Sequence, residues 1–214
     1  FDMDGVIIES ESIYMEAEKD LFKKYGLKLS EEEREKYTGV PLDEIWQEIN
    51  RDYNIEDKYD LEDIISDHVD SFYSGLKKSD VKMIAGLENW LKKLKKLEIK
   101  MIIASSSFPK IINFIYQRFN LDNYMEGFID LANIENGKPD PEIFIKAAKS
   151  LDLDPDQCLV IEDSENGVQA AKNAGMKCVA FNGRNSTFQN LNKADLIIKE
   201  YNELNFSKIF DLFS

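Results

Sequence analysis

Positive charge, cysteine, histidine and long apolar runs are all scarce in this chain, and each scarcity narrows what it can do. Lysine and arginine number 27 against 41 aspartates and glutamates, a formal net charge of -14. A nucleic-acid backbone is therefore not expected as a partner. The two cysteines stand in Cys158-Leu159-Val160-Ile161 and Cys178-Val179-Ala180-Phe181, stretches that read as buried strands. Both are expected as structural thiols rather than as a disulfide or a metal pair. No apolar run approaches a membrane span and no signal peptide is visible, so the expectation is a cytoplasmic protein with no membrane partner. The chain opens on Phe1 rather than Met, so its first strand is expected to begin upstream, and a targeting segment there stays open. The single histidine, His68, falls on the apolar face of a helical stretch beside Ile64, Ile65 and Phe72. It reads as a packed or hydrogen-bonded core residue, and no role is assigned to it.

What is present starts with the first eight residues, Phe1-Asp2-Met3-Asp4-Gly5-Val6-Ile7-Ile8. Two carboxylates stand two apart where an apolar run breaks at Gly5, so on a strand ending they point the same way into one crevice. One carboxylate can attack phosphorus while the other handles a proton, provided a metal and a fixed cation offset the charge gathered there. The bland alternative is a strand ending in an Asp-Gly turn.

After Ile8 the pattern is helical for some seventy residues. Tyr14, Ala17, Leu21, Phe22 and Tyr25 make one stripe, closed by Gly26, and Ser30 to Glu33 form a capping box for a charged helix. Leu42, Ile45, Trp46, Ile49 and Tyr53 make a third stripe, and Leu61, Ile64, Ile65, Val69, Phe72, Tyr73 and Leu76 a fourth. From about Val81 helices and strands alternate. Strands are expected at 99–105, 128–131, 159–162, 177–181 and 194–199, with helices between them and a last one over 204–213. The 214 residues thus read as an α/β protein, a parallel sheet covered on both faces in a three-layer, Rossmann-like core of residues 1–9 and 81–214. Residues 10–80 form an inserted all-helical unit, and no repeat or low-complexity tract is visible.

Three further motifs fall where strands hand over to loops, the place where open parallel sheets bind ligands. Ser105-Ser106-Ser107 follows Met101-Ile102-Ile103-Ala104, and a hydroxyl with free amides there can hold phosphate oxygens. Gly137-Lys138-Pro139-Asp140-Pro141 puts a lysine on a backbone stiffened by prolines, fit for a cation that must stay over a carboxylate. Ile161-Glu162-Asp163-Ser164-Glu165-Asn166-Gly167 puts an acidic pair at a strand end, as Mg²⁺ requires of hard oxygen ligands, although Asp163 could instead cap the helix that follows.

In this order and at these places the four pieces resemble the haloacid dehalogenase superfamily, nearest its β-phosphoglucomutase and sugar-phosphate phosphatase branch. The resemblance implies a Mg²⁺-dependent phosphotransferase in which residues 10–80 are a mobile cap, hinged near Ile8–Ser12 and Lys77–Ala85. It implies that Asp2 is the nucleophile and Asp4 the general acid and then base. Asp2, the Asp4 carbonyl and Asp163 would hold Mg²⁺, with Glu162 a further ligand or a group behind it. Ser105, Ser106 and Lys138 would bind the transferring phosphoryl group.

The resemblance also separates hydrolase from mutase. Sequences similar to β-phosphoglucomutase carry a His ten residues after the acid/base Asp and a K-G-V-S-R cap loop. This chain has Tyr14 and Thr38-Gly39-Val40-Pro41-Leu42 there, without the cations a bisphosphate would need. Hydrolysis of a small phosphorylated metabolite is preferred, a sugar or polyol phosphate, by a monomer. Glu11, Tyr14, Thr38, Val40 and Trp46 are the candidates for choosing it. The alternatives are a sugar-phosphate mutase and, from another class, a noncatalytic phosphate-binding or phosphoacceptor protein.

Overall fold

The computed structural model describes residues 1–30, 33–34, 37, 42–55, 58–183 and 189–214. The chain divides into two compact units, residues 10–81 and residues 1–9 with 82–214.

The first unit is helical. Helices α1 (Glu11–Lys24), α2 (Leu42–Tyr53) and α3 (Leu61–Lys78) enclose an apolar core of Leu21, Phe22, Leu27, Ile45, Trp46, Ile49, Ile55 and Ile64. Asp60 caps α3 by accepting from the Glu62 amide at 2.8 Å. The expected capping box is formed, Ser30 and Glu33 each accepting from the other's amide, but the helix it should open lies largely outside the described residues. Where α1 meets α3, a Cβ on Gly75 would sit 2.9 Å from Ile13 Cγ2, so the two helices approach as closely as the missing side chain allows. His68 is buried in this core and accepts a hydrogen bond from Trp46 Nε1 at 3.1 Å, the packed, hydrogen-bonded state its neighbours suggested.

The second unit is α/β. Its elements run α4 (Leu87–Lys96), β1 (Ile103–Ala104), α5 (Pro109–Arg118), β2 (Phe128–Ile129), α6 (Glu142–Ser150), β3 (Leu159–Glu162), α7 (Glu165–Asn173), β4 (Lys177–Phe181), β5 (Leu196–Ile198) and α8 (Phe206–Leu212). β1 pairs with β2, and β3-β4-β5 follow in order, all parallel. The chain start joins the two groups: the Phe1 nitrogen donates to the Ile102 carbonyl, the Ala104 amide to the Phe1 carbonyl, and the Asp2 amide to Ile161. Phe1-Asp2 therefore lies between β1 and β3, and the lateral order is β2-β1-(1–2)-β3-β4-β5.

Strand alternation divides the core into layers. Ile102, Ala104, Val160, Cys178 and Ala180 pack with Ile143, Phe144, Ala147 and Ala148 of α6 and with Val168, Ala170 and Ala171 of α7. Ile103, Ile161, Val179 and Phe181, the intervening residues, are buried on the opposite face. Right-handed crossovers require this: α6 and α7 lead toward β4, whereas α4 and α5 lead toward β2, so the pairs cover opposite faces. The order reverses beside Phe1-Asp2, the switch point where strand ends leave a crevice.

One expectation needs correction. Asp4 does not share a strand ending with Asp2, because the chain already turns at Met3. Gly5 takes φ +72°, and the amides of Val6, Ile7 and Ile8 all turn back to the Met3 carbonyl. Val6, Ile7 and Ile8 are fully buried in this turn.

Candidate active site

At the switch point the strand ends collect charge. Lys138 Nζ lies 2.6 Å from Asp2 Oδ1, 2.7 Å from Glu162 Oε1 and 3.4 Å from the Ala104 carbonyl, so its three N–H bonds meet three acceptors. All three charged side chains are buried, and the ammonium also stands 5.0 Å from the centre of the Phe144 ring. Asp163 completes the group: oxygens of Asp2, Glu162 and Asp163 lie within 4.8 Å of one another.

One lysine does not balance three carboxylates. Burial pushes the Asp2 carboxyl up to about 7, against the pull of Lys138 and with the push of Glu162 and Asp4. Asp163 is also raised, by burial first and then by Glu162 and Asp2. Burial alone would lower the Lys138 ammonium, but Asp2 and Glu162 outweigh it and hold its pKa above the usual lysine range. A buried cluster of hard oxygen donors with surplus negative charge fits a divalent cation such as Mg²⁺.

Glu162 is committed elsewhere. One oxygen takes Lys138; the other accepts from the Ser164 amide at 2.6 Å and the Ser164 hydroxyl at 3.0 Å. Ser164 in turn caps α7 by accepting from the Gly167 amide. Glu162 thus fixes both Lys138 and the start of α7, while one of its oxygens stands in one cluster with oxygens of Asp2 and Asp163. The capping alternative for Asp163 is overturned, since Ser164 does that work. Two glycines make room: a Cβ on Gly5 would lie 1.9 Å from Asp163 Oδ2, and one on Gly167 1.8 Å from Glu162 Oε1.

The loop carrying Lys138 is tied at several points. Glu142, in the first turn of α6, accepts from the amides of Glu135 and Asn136 at 3.0 and 2.9 Å, and Asn173 Nδ2 donates to the Pro139 carbonyl at 3.0 Å. Ser105 is buried, its amide bonded to Ile129 and its Oγ accepting from the Ser107 amide at 3.1 Å, which leaves its O–H to donate. Ser106 is exposed. Asp4, in the turn, accepts from Ser107 Oγ at 2.7 Å.

Three residues of the site carry little signal in the sequence. Ser107 was part of a cluster with no task of its own, and Glu142 resembled any first-turn glutamate. Tyr201, 195 residues from its partner, donates to the Val6 carbonyl at 2.9 Å and braces the turn that holds Asp4, its ring stacked on Phe181.

The cap candidates fare differently. Trp46 is fully buried and bonded to His68 within the helical core. Tyr14 is half-buried and stacked on Phe72, and Glu11 is exposed in the first turn of α1. Thr38 and Val40 lie outside the described residues.

An open parallel sheet whose strand ends bring together a lysine-held carboxylate, a metal-fit carboxylate and a second aspartate on a turn defines a hydrolase of the phosphotransferase type. The model of haloacid dehalogenase-like hydrolases matches residues 1–181, and the chain belongs to that family. It is 30% identical over 178 residues to a phosphorylated carbohydrates phosphatase of Thermotoga maritima, covering 83% of this chain and 81% of that one. It is 29% identical over 212 residues to the β-phosphoglucomutase of Bacillus subtilis, covering 95% and 89%. The crystal structure of a β-phosphoglucomutase from Clostridium difficile superposes with a TM-score of 0.84 at 26% identity, covering all of this chain and 95% of that one.

Proposed function

We propose that this haloacid dehalogenase-like hydrolase is a Mg²⁺-dependent phosphatase of small phosphomonoesters, sugar or polyol phosphates first, working through a phosphoaspartate on Asp2. The observation that carries the reading is the group of buried Asp2 and Lys138 with half-buried Asp163, which offers a fixed nucleophile and a place where a divalent cation would neutralise the carboxylate charge that otherwise repels a phosphoryl group. When bound by Asp2, Asp163 and the Asp4 carbonyl, Mg²⁺ supplies electrostatic stabilisation of the phosphoryl oxygens.

The protein's own residues do the rest. Lys138 aims Asp2 and favours its ionised form, which a bound cation would complete, while Ser105 donates its hydroxyl to a phosphoryl oxygen, joined by the amide of exposed Ser106. An Asp2 oxygen forms a bond to phosphorus as the bond to the substrate oxygen breaks, and Asp4 gives its proton to the departing alkoxide. Water then attacks phosphorus, Asp4 recovers a proton from it, and inorganic phosphate leaves with Asp2 restored.

Hydrolysis is preferred to mutase chemistry because the positions of the cap histidine and cap cations hold Tyr14 and Thr38 to Leu42. A second reading, sugar-phosphate mutase, draws on the likeness to the Bacillus subtilis β-phosphoglucomutase over 95% of this chain. One experiment separates them: phosphate release from a panel of sugar, polyol and nucleotide monophosphates with Mg²⁺, beside an Asp2→Asn control. Metal-dependent release lost in the control supports the phosphatase. Absence of release, with interconversion of sugar phosphates after bisphosphate priming, supports the mutase.

A further inference from the structure

Of the three serines after β1, Ser107 is buried, and its hydroxyl donates to Asp4 Oδ2 at 2.7 Å across 103 residues of sequence. The residue is itself held from both sides: its amide donates to Ser105 Oγ at 3.1 Å and its carbonyl accepts from the Leu131 amide at 3.4 Å. A side chain fixed in this way is a rigid support, and what it supports is one oxygen of the acid/base carboxylate.

We propose that Ser107 is a positioning residue for proton transfer, holding the Asp4 carboxyl in the orientation from which it serves the leaving alcohol and the attacking water. The assignment rests on the phosphatase reading above. The chemistry suits both halves of the reaction. Oδ2 accepts from a hydroxyl whether Asp4 is ionised or carries its proton on the other oxygen, so the bond survives each transfer. Asp4 sits in a turn, where the backbone constrains its carboxyl less than a strand would, and a displacement of about 1 Å in a catalytic group costs up to about a hundredfold in rate.

Leaving groups provide the test. Phenolate departs much more easily with a proton than without one, whereas p-nitrophenolate departs unaided. The ratio of kcat/KM for phenyl phosphate to that for p-nitrophenyl phosphate therefore reads acid assistance in the first step, in two substrates of nearly equal shape. Ser107→Ala is expected to lower this ratio about tenfold, and Ser107→Thr, which keeps the hydroxyl, to restore it. Ser107→Cys, which keeps the volume and nearly loses the donor, should move the ratio in the same direction as alanine and covers the case where alanine misfolds. Equal losses on both esters, or no loss on either, overturn the assignment of Ser107 and leave the phosphatase reading intact. A wild-type protein inert on both esters and on the metabolite panel overturns the phosphatase reading and this assignment with it.

Discussion

Gly5 and Asp163 touch with no room for a side chain between them: a Cβ on Gly5 would lie 1.9 Å from Asp163 Oδ2, and Gly5 itself has φ +72°. Two separate demands thus fall on one position. The turn that carries Asp4 needs a left-handed residue, and the metal-fit carboxylate needs the space. Gly5→Ala should cost about 1–2 kcal/mol in backbone strain and also push Asp163 aside. A displacement of that kind predicts turnover down about a hundredfold, and weaker binding of Mg²⁺ measured by titration. Wild-type turnover in Gly5→Ala would mean that Asp163 has no part in the reaction.

Much of this was legible because each charged motif stands where an apolar run stops. Lys138 is followed by Pro139 and Pro141, and Glu162-Asp163 ends a run of buried β residues, so a parallel sheet brings them to one edge whatever the intervening loops do. What escaped was of two kinds. Asp4 follows Asp2 like the next same-face residue of a strand ending, yet the turn that closes on the Met3 carbonyl already begins before it. Ser107 and Tyr201 act through single tertiary hydrogen bonds, to Asp4 and to Val6, and Glu142 through the two amides it ties in the Lys138 loop, and such bonds have no periodicity in sequence. Trp46 shows the same limit. The sequence does not show that its N–H finds His68 inside the helical core.

The surplus carboxylate charge makes the metal and the proton competitors. Asp2 has its pKa raised from 3.8 to about 7, so the folded metal-free protein binds that proton more tightly than the unfolded chain does. Its contribution to stability is then full at low pH and is lost as pH rises from about 4 through 7. A divalent cation replaces the proton over the same window. Mg²⁺ is expected to raise the thermal midpoint clearly at pH 8 and much less at pH 5, with EDTA reversing the shift. A shift of the same size at both pH values, or none at pH 8, contradicts the assignment of Asp2 and Asp163 as ligands.

Lys138 is the only counter-charge that the protein itself places against Asp2 among the contacts described, and it is shared with Glu162. Lys138→Ala leaves two buried carboxylates facing one another. Breaking a buried ion pair in this one-sided way costs about 3–5 kcal/mol. Loss of a fixed donor at the reacting group adds a drop of about a hundred- to a thousandfold in turnover. Arginine should rescue little, since a planar fork cannot present one nitrogen to Asp2 Oδ1, Glu162 Oε1 and Ala104 together. Denaturant melts and phosphate release, measured on the same preparations, check both parts. A stable, active Lys138→Arg protein would show that charge alone, without this geometry, is sufficient.

The chain has one imidazole, which turns its titration into a clean probe of the helical unit. Trp46 Nε1–H donates to His68 Nδ1, so Nδ1 carries no proton and the neutral ring is the Nε2–H tautomer. A second proton would have to go on Nδ1, where it would displace the hydrogen bond from Trp46, and Nε2–H has no acceptor among the described residues to favour the charged ring. Burial lowers the His68 pKa from 6.5 to about 4. As pH falls, the unfolded chain takes up the proton first. The stability His68 contributes is therefore full above about 6.5 and is lost as pH drops through about 4. Nitrogen-15 imidazole spectra should show a single neutral tautomer from pH 8 down to pH 5, and Trp46→Phe, which removes the donor, should allow the other tautomer to appear. A titration midpoint near that of a free histidine would place His68 in water and dissolve the pairing on which the α2–α3 contact depends.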